Sequence, residues 1–341
     1  MRIFYKALII SALILSQFSV SGQTNRLYIA HYNVENLFDT IDDPKINDEE
    51  FLPGGKNNWT AERYATKLER LSQVVLAMNN GTGPDLLGIC EIENRQVAED
   101  LRQRIHQKGR KYALAHFESP DNRGIDVGLI YDSKKFKLLR AQSLTVTLPG
   151  EKPWPTRDVL LVTGQLKNKS RLHVFVNHWP SRSGGQEKSE INRMAAAKVV
   201  RQAIDSLLAA DPTAHILTMG DFNDGPADIA PRQIMGADSL PQGTAPLYNP
   251  FLALNSDTTQ GSYNYRGAWQ FIDHISISTN SFNEKSKITY IQGSAKAEKF
   301  DFMLEKEGRY AGNPWRTYAG SRYLGGYSDH LPVSIQIEWT R

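Results

Sequence analysis

Apolar residues gather in short runs at positions 27–32, 85–90, 112–117, 127–131, 159–166, 172–176, 214–219, 271–277 and 332–339. Each has the length and composition of a β-strand. Between them the period lengthens. Leu68, Leu71, Val74, Val75 and Met78 share one face of a helix over 61–79 that Thr60 can cap, and Met194, Ala197, Val200, Ile204 and Leu207 repeat the pattern later. Strands interleaved with helices give an α/β class. No Pro- or Ser-rich linker, repeat or low-complexity tract divides the chain, so a single large domain is expected.

Polar residues cluster where the apolar runs stop. Asn33-Val34-Glu35, Glu91, Asn177-His178, Gly220-Asp221-Phe222-Asn223, Asp273 and Ser328-Asp329-His330 each sit at or just beyond the end of a run. Core packing does not explain charged groups at strand ends, where strands splay into a cleft. Carboxylates, amides and imidazoles together suit metal-assisted attack on a phosphate.

In order and local wording these stations resemble the endonuclease/exonuclease/phosphatase superfamily, the metal-dependent phosphoesterases related to pancreatic-type deoxyribonuclease. The resemblance covers nearly all of the chain after its first residues. It implies a four-layer sandwich, two packed mixed β-sheets flanked by helices, with the site at one rim. Glu91 matches the metal-binding glutamate, with Glu35 as a second carboxylate, Asn33 orienting both, and Asp329 as a ligand or an acceptor just outside the metal. Oxygen ligands favour magnesium or manganese over zinc.

Further roles follow from the same resemblance. Asp221 would orient or deprotonate the attacking water, and Asn223 would position it or steady the phosphorane. Gly220 is read as permitting a tight turn that throws both to one side. His330 would contact a non-bridging phosphate oxygen or take a proton, with Asp273 fixing its tautomer. His178 would protonate the leaving group, oriented by Asp126. The base-excision branch carries tyrosine at this station, so the histidine argues against abasic-site repair. Arg157 aligns with a phosphate-contacting arginine of the deoxyribonucleases, and Arg182 is assigned the same task.

The N-terminus adds a destination. Arg2 and Lys6 precede the apolar stretch 7–15, and small residues follow at Val20-Ser21-Gly22. This is a signal-peptide pattern over 1–22, leaving a domain over 23–341 that is secreted or periplasmic. The stretch falls short of the roughly 18 to 20 residues that span a bilayer, so no stable membrane anchor is expected. Cys90, the single cysteine, lies inside an apolar run, which rules out an intramolecular disulfide and reads as core. Formal charge is +3, and losing Arg2 and Lys6 brings the chain near neutrality. A strongly basic nucleic-acid footprint is therefore absent.

Two irregular segments remain. The acidic run 39–50 reads as a solvated loop, with an additional cation such as calcium as the alternative. In 300–327, Tyr310, Trp315, Tyr318, Tyr323 and Tyr327 alternate with Arg309, Arg316 and Arg322. That segment is either a substrate-facing lid that stacks bases or a loop packed by its own aromatics. The leading expectation is a monomeric nuclease, a metal-dependent phosphodiesterase acting on nucleic acid with no obligate protein partner. The rival is a phosphoesterase of the same fold acting on a lipid or small molecule, such as a sphingomyelinase-like enzyme, an inositol-phosphate phosphatase or a nucleotide phosphatase. A catalytically dead binding module would have lost a station, and none is missing.

Overall fold

The computed structural model describes residues 25–150, 154–240 and 243–340. The expected signal peptide lies outside these residues. The long strands in chain order are β1 (Arg26–Leu37), β2 (Leu86–Ile92), β3 (Tyr112–His116), β4 (Asp126–Asp132), β5 (Phe136–Leu144), β6 (Val159–Leu166), β7 (Arg171–His178), β8 (His215–Asp221), β9 (Asp273–Ser278) and β10 (Val333–Trp339). The longer helices are α1 (Ala61–Gly81), α2 (Arg95–Arg104) and α3 (Gln186–Ala210).

Every expected run is a strand, and among the longer elements β5 and α2 are additional. β5 is an edge strand that pairs only with β6 and leaves Leu138 and Leu139 exposed, so it shows no clean alternation. α2 buries Val97, Ala98 and Leu101, too thin a stripe to read against seven polar neighbours, and is capped by the Asn94 side chain bonding Val97 N. Thr60 caps α1 as expected, accepting from Arg63 N at 3.3 Å. Regular turns of α1 stop at Met78, where ψ reaches 161°.

Two seven-stranded mixed sheets form. The first runs Ile288–Tyr290, β10, β1, β2, β4, β3, with Lys296–Ala297 also on β10. The second runs Ala237–Asp238, Leu247–Tyr248, β9, β8, β7, β6, β5. Strand alternation divides the apolar side chains between layers. Leu27, Ile29, Val174, Val176, Leu217, Met219, Ile275, Ile335 and Ile337 fill the space between the sheets. Tyr28, Ala30 and Tyr32 face outward onto Leu68, Leu71 and Val75 of α1. Phe175 and Ile216 face the other way onto Ala197, Val200 and Ile204 of α3. The result is the four-layer sandwich, helix, sheet, sheet, helix. Among the described residues no helix is long and apolar enough to cross a membrane.

This layering positions the polar stations. β1 and β2 are parallel, as are β7 and β8, so their C-terminal ends emerge at one rim. β9 and β10 run antiparallel to their neighbours and begin at the same rim. Asp221 thus stands opposite His178 on one side and Asp273 on the other.

Both irregular segments are folded in. Most of 39–50 is exposed, but Asp48 is buried and accepts from Asp43 N at 3.0 Å. In the aromatic segment Trp315 packs on Tyr327 under Arg70, and Tyr318 packs on Trp59 and Tyr323. Arg63 covers the Tyr323 ring at 4.2 Å. Apart from exposed Tyr310, the segment's aromatics are packed within the protein, which favours the self-packed loop over the stacking lid.

Candidate active site

The period that fills the core continues into the site. On β7 the inward positions 172, 174 and 176 lead to His178, and on β8 the inward positions 217 and 219 lead to Asp221. On β1 they lead through His31 to Asn33, and β9 enters with Asp273 two residues before inward Ile275. Polar groups thus take over the inner layer at its open end.

Glu91 breaks this rule. Leu87 and Ile89 of β2 face α1, and strict alternation would send residue 91 the same way. A bulge between Cys90 and Ile92, with Glu91 at φ 63°, turns its side chain inward instead. A left-handed glutamate is costly backbone, held because the site over-determines it. Its Oε2 accepts from Asn36 N and its Oε1 from Asn33 Nδ2, both at 3.0 Å.

The same Asn33 amide also donates to Asp221 Oδ2 at 3.0 Å. One neutral group therefore draws two carboxylates together. Asp221 Oδ1 accepts from Asn223 N at 2.9 Å, and Asn223 Nδ2 donates to Trp179 O at 3.0 Å, closing a local turn. Gly220 sits within β8 rather than in that turn. A Cβ on it would lie 2.4 Å from Asn177 O, so close strand approach is what excludes a side chain. Burial and the Asp273 charge push the Asp221 pKa up to about 7.

His178 Nε2 faces this pair, 3.7 Å from Asp221 Oδ2 and 3.8 Å from Glu91 Oε1. Burial, and then Arg157 and Arg123, hold its pKa well below the ordinary value, so the ring is neutral. Asp126 does not orient it. That carboxylate bonds His116 Nε2 at 3.0 Å and Ser119 N at 2.7 Å, because β4 places it toward β3, and His178 Nδ1 has no hydrogen-bond partner among the described residues.

His330 Nδ1 lies 2.6 Å from Asp273 Oδ2, the arrangement expected from the sequence. Burial opposes a charged ring, but Asp273, Asp221 and Asp329 outweigh it and hold the His330 pKa well above the usual range. Ser328 locks the terminal motif to β1, donating to Asn33 O at 2.7 Å and accepting from His330 N at 3.1 Å. Asp329 Oδ1 is 3.9 Å from His330 Nε2, and its Oδ2 accepts from Arg316 Nη2 at 3.2 Å.

Glu35 goes elsewhere. The register shift after Asn33 and φ 50° at Glu35 swing its carboxylate toward α1, where it accepts from Thr317 N at 2.7 Å and lies 3.7 Å from buried Lys67. The bulge removes it from the donor groups around Glu91. Arg157 is also buried, donating to Trp179 O, Thr156 Oγ1 and Asp121 Oδ2. Arg182 braces the loop after β8 through Asn223 O at 2.7 Å, Gln270 Oε1 at 2.8 Å and Asp228. Both arginines expected at phosphate are occupied within the protein.

Sequence reasoning missed His31, Lys67 and Tyr263. His31 is fully buried, its Nε2 3.6 Å from Asp273 Oδ1, and burial lowers its pKa to about 4. A histidine at an inward position one step before Asn33 was the available signal. The Tyr263 ring lies 4.8 Å from that of His330. Its hairpin, Tyr263–Tyr265 with Ala268–Gln270, carries no periodicity to mark it.

Donor atoms of Glu91, His178 and Asp221 lie within 4.8 Å of one another, as do those of Asp221, Asp273 and His330. Carboxylates already drawn together by one amide fit a divalent cation, which would offset their repulsion. A neutral imidazole nitrogen joins the first group, so the set is not purely oxygen as the sequence implied.

Comparison with known proteins agrees with the fold. The family model described as "Endonuclease/Exonuclease/phosphatase family" matches residues 28–339. An endonuclease/exonuclease/phosphatase family protein from Bacteroides thetaiotaomicron superposes with TM-score 0.55 at 16% identity, covering 93% of this chain and 99% of that one. The human nocturnin catalytic domain with bound sulfate anion gives TM-score 0.55 at 15% identity over 92% of this chain and 94% of that one. Truncated Caenorhabditis elegans TDP2 gives 0.54 at 13% identity, covering 92% and 98%. Sequence comparison with curated proteins gives no match.

Proposed function

We propose that this chain, which belongs to the endonuclease/exonuclease/phosphatase family, is an exported phosphodiesterase that uses magnesium or manganese to hydrolyse nucleic acid. The observation that carries the reading is the Asn33 amide bonded at once to Glu91 and Asp221, beside the His330–Asp273 pair. Glu91 and its neighbours would hold the cation, which when bound would supply charge neutralisation at the phosphate and a more acidic water.

The protein's own groups complete the chemistry. Asp221, anchored at both oxygens, accepts the proton of the attacking water. Asn223, fixed to Trp179 O and to Asp221, orients that water. His330 carries positive charge against Asp273 and stabilises the negative charge that gathers on the phosphorane. His178, neutral and facing Glu91 and Asp221, is a hydrogen-bond donor or metal ligand rather than the acid that protonates the leaving group. Export rests on the leader-like residues 1–22.

A small-molecule or lipid phosphoester is the second reading, favoured by near-neutral charge and by aromatics of 315–327 that are already packed. The test is a panel of plasmid, linear and single-stranded DNA, RNA, sphingomyelin and inositol phosphates, with and without magnesium. Magnesium-dependent cleavage of polynucleotide is the expected result. Cleavage restricted to sphingomyelin or inositol phosphates would replace it with the second reading.

A further inference from the structure

The site gathers Glu91, Asp221, Asp273 and Asp329 around a reaction whose substrate is itself an anion, with Glu35 turned away toward α1. Two cationic side chains ion-pair with these carboxylates besides the histidines, Lys67 with Glu35 and Arg316 with Asp329. Lys67 is fully buried and spent on Thr317 Oγ1 and Tyr327 O. Arg157 and Arg182 are spent on Asp121, Trp179 O, Asn223 O, Gln270 and Asp228.

Arg316 differs from all of these. Its side chain is 38% exposed, so it stands at the mouth of the site. Only Nη2 is engaged at normal hydrogen-bond length, with Asp329 Oδ2 at 3.2 Å. No other hydrogen bond of that length joins the guanidinium to a described residue, and the Tyr263 side chain, whose ring lies against His330, is its second polar neighbour. A planar fork anchored on one side by a carboxylate is preorganised to present its remaining N–H groups to a second oxyanion. Asp329 is itself 3.9 Å from His330 Nε2, which sets the fork next to the ring that faces the phosphorane.

We propose that Arg316 is the phosphate clamp of this enzyme, holding a non-bridging oxygen of the substrate through donors that Asp329 leaves available while Asp329 fixes its plane. The inference rests on the phosphodiester reading of the site and adds the group that binds the substrate's charge. It also assigns Asp329 a second task, as the anchor of that arginine.

Inorganic phosphate binding to the magnesium-loaded protein, followed by calorimetry, tests the clamp without turnover. Arg316→Ala is expected to weaken phosphate about 10- to 100-fold, the worth of hydrogen bonds to a charged group. Magnesium affinity and Tm should stay unchanged. Arg316→Lys should recover only part, because an ammonium lacks the fork, and methylguanidinium added to Arg316→Ala should restore binding. Equal phosphate affinity in wild type and Arg316→Ala overturns the clamp, as does a wild type that binds no phosphate. A parallel loss of magnesium affinity also overturns it, since Arg316 would then act only by placing Asp329. Phosphate held by Arg316 in a protein that cleaves no phosphodiester would keep the clamp and remove the nuclease reading.

Discussion

The Nδ1 of His330 is held 2.6 Å from Asp273 Oδ2, while its Nε2 points toward Asp221 at 3.9 Å. The carboxylate thus keeps one ring nitrogen protonated and leaves the other to face the reaction. Because Asp273 raises the His330 pKa, removing its charge lowers it again. Asp273→Asn should therefore reduce kcat by about 10²- to 10⁴-fold. It should also move the alkaline limb of the kcat/KM profile to lower pH, because the imidazolium is lost sooner. An unmoved limb with normal kcat would make the pair structural.

Glu91 is aimed into the site by a bulge and held by Asn33 and Asn36 N. Glu91→Gln keeps the shape and both contacts in part but removes the charge that holds a hard cation. Turnover should vanish at ordinary magnesium and return in part at excess magnesium. Calorimetry should show weaker magnesium binding with Tm preserved, and wild-type metal affinity would take Glu91 out of the metal site.

Much of this site was legible because it extends the core period. Asn33, His178, Asp221 and Asp273 lie on the same strand faces as the leucines, valines and isoleucines between the sheets, so position alone marks them. Bulges do not show in a sequence: one turns Glu35 away from the site where it was expected, and another is what brings Glu91 into the place expected of it. The intramolecular partners of the two arginines were illegible for another reason. Whether a guanidinium meets substrate depends on whether loops far along the chain occupy its fork, as Asp121 does for Arg157 and Gln270 for Arg182. β5 was invisible because half of it faces solvent.

Lys67 and Glu35 form a buried pair 3.7 Å apart between α1 and the bulge of β1. Burial lowers the lysine pKa despite Glu35, and burial together with Asp329 raises that of Glu35, so desolvation exceeds the attraction for both. Such a pair adds little by itself, yet breaking it is expensive. Lys67→Met should cost about 3–5 kcal/mol of stability, measured by urea unfolding, by stranding Glu35 and leaving Thr317 Oγ1 and Tyr327 O without their donor. The double variant Lys67→Met/Glu35→Gln should regain much of that, since an amide oxygen can still accept from Thr317 N. Additive losses in the double-mutant cycle would show that the two charges do not interact.

His274 is fully buried behind the site, stacked on Phe222 at 4.0 Å and bonded to Asn249 Nδ2 at 3.2 Å. Burial lowers its pKa to about 3. Between its unfolded value, about 6.5, and that depressed one, the unfolded chain takes up a proton that the folded chain refuses. Its contribution to stability is therefore complete above about pH 6.5 and is lost as pH falls toward 3. His274→Phe preserves the stacking and removes the titration, at a cost of about 1 kcal/mol at pH 7.5 for the lost hydrogen bond. On acidification the wild type should lose up to about 1.4 kcal/mol per pH unit more than the variant, so the gap between them narrows and then inverts. Carboxylates common to both chains cancel in that difference. Urea midpoints at pH 7.5, 6, 5 and 4.5 measure it directly, and parallel curves for the two proteins would mean that His274 is charged inside the fold.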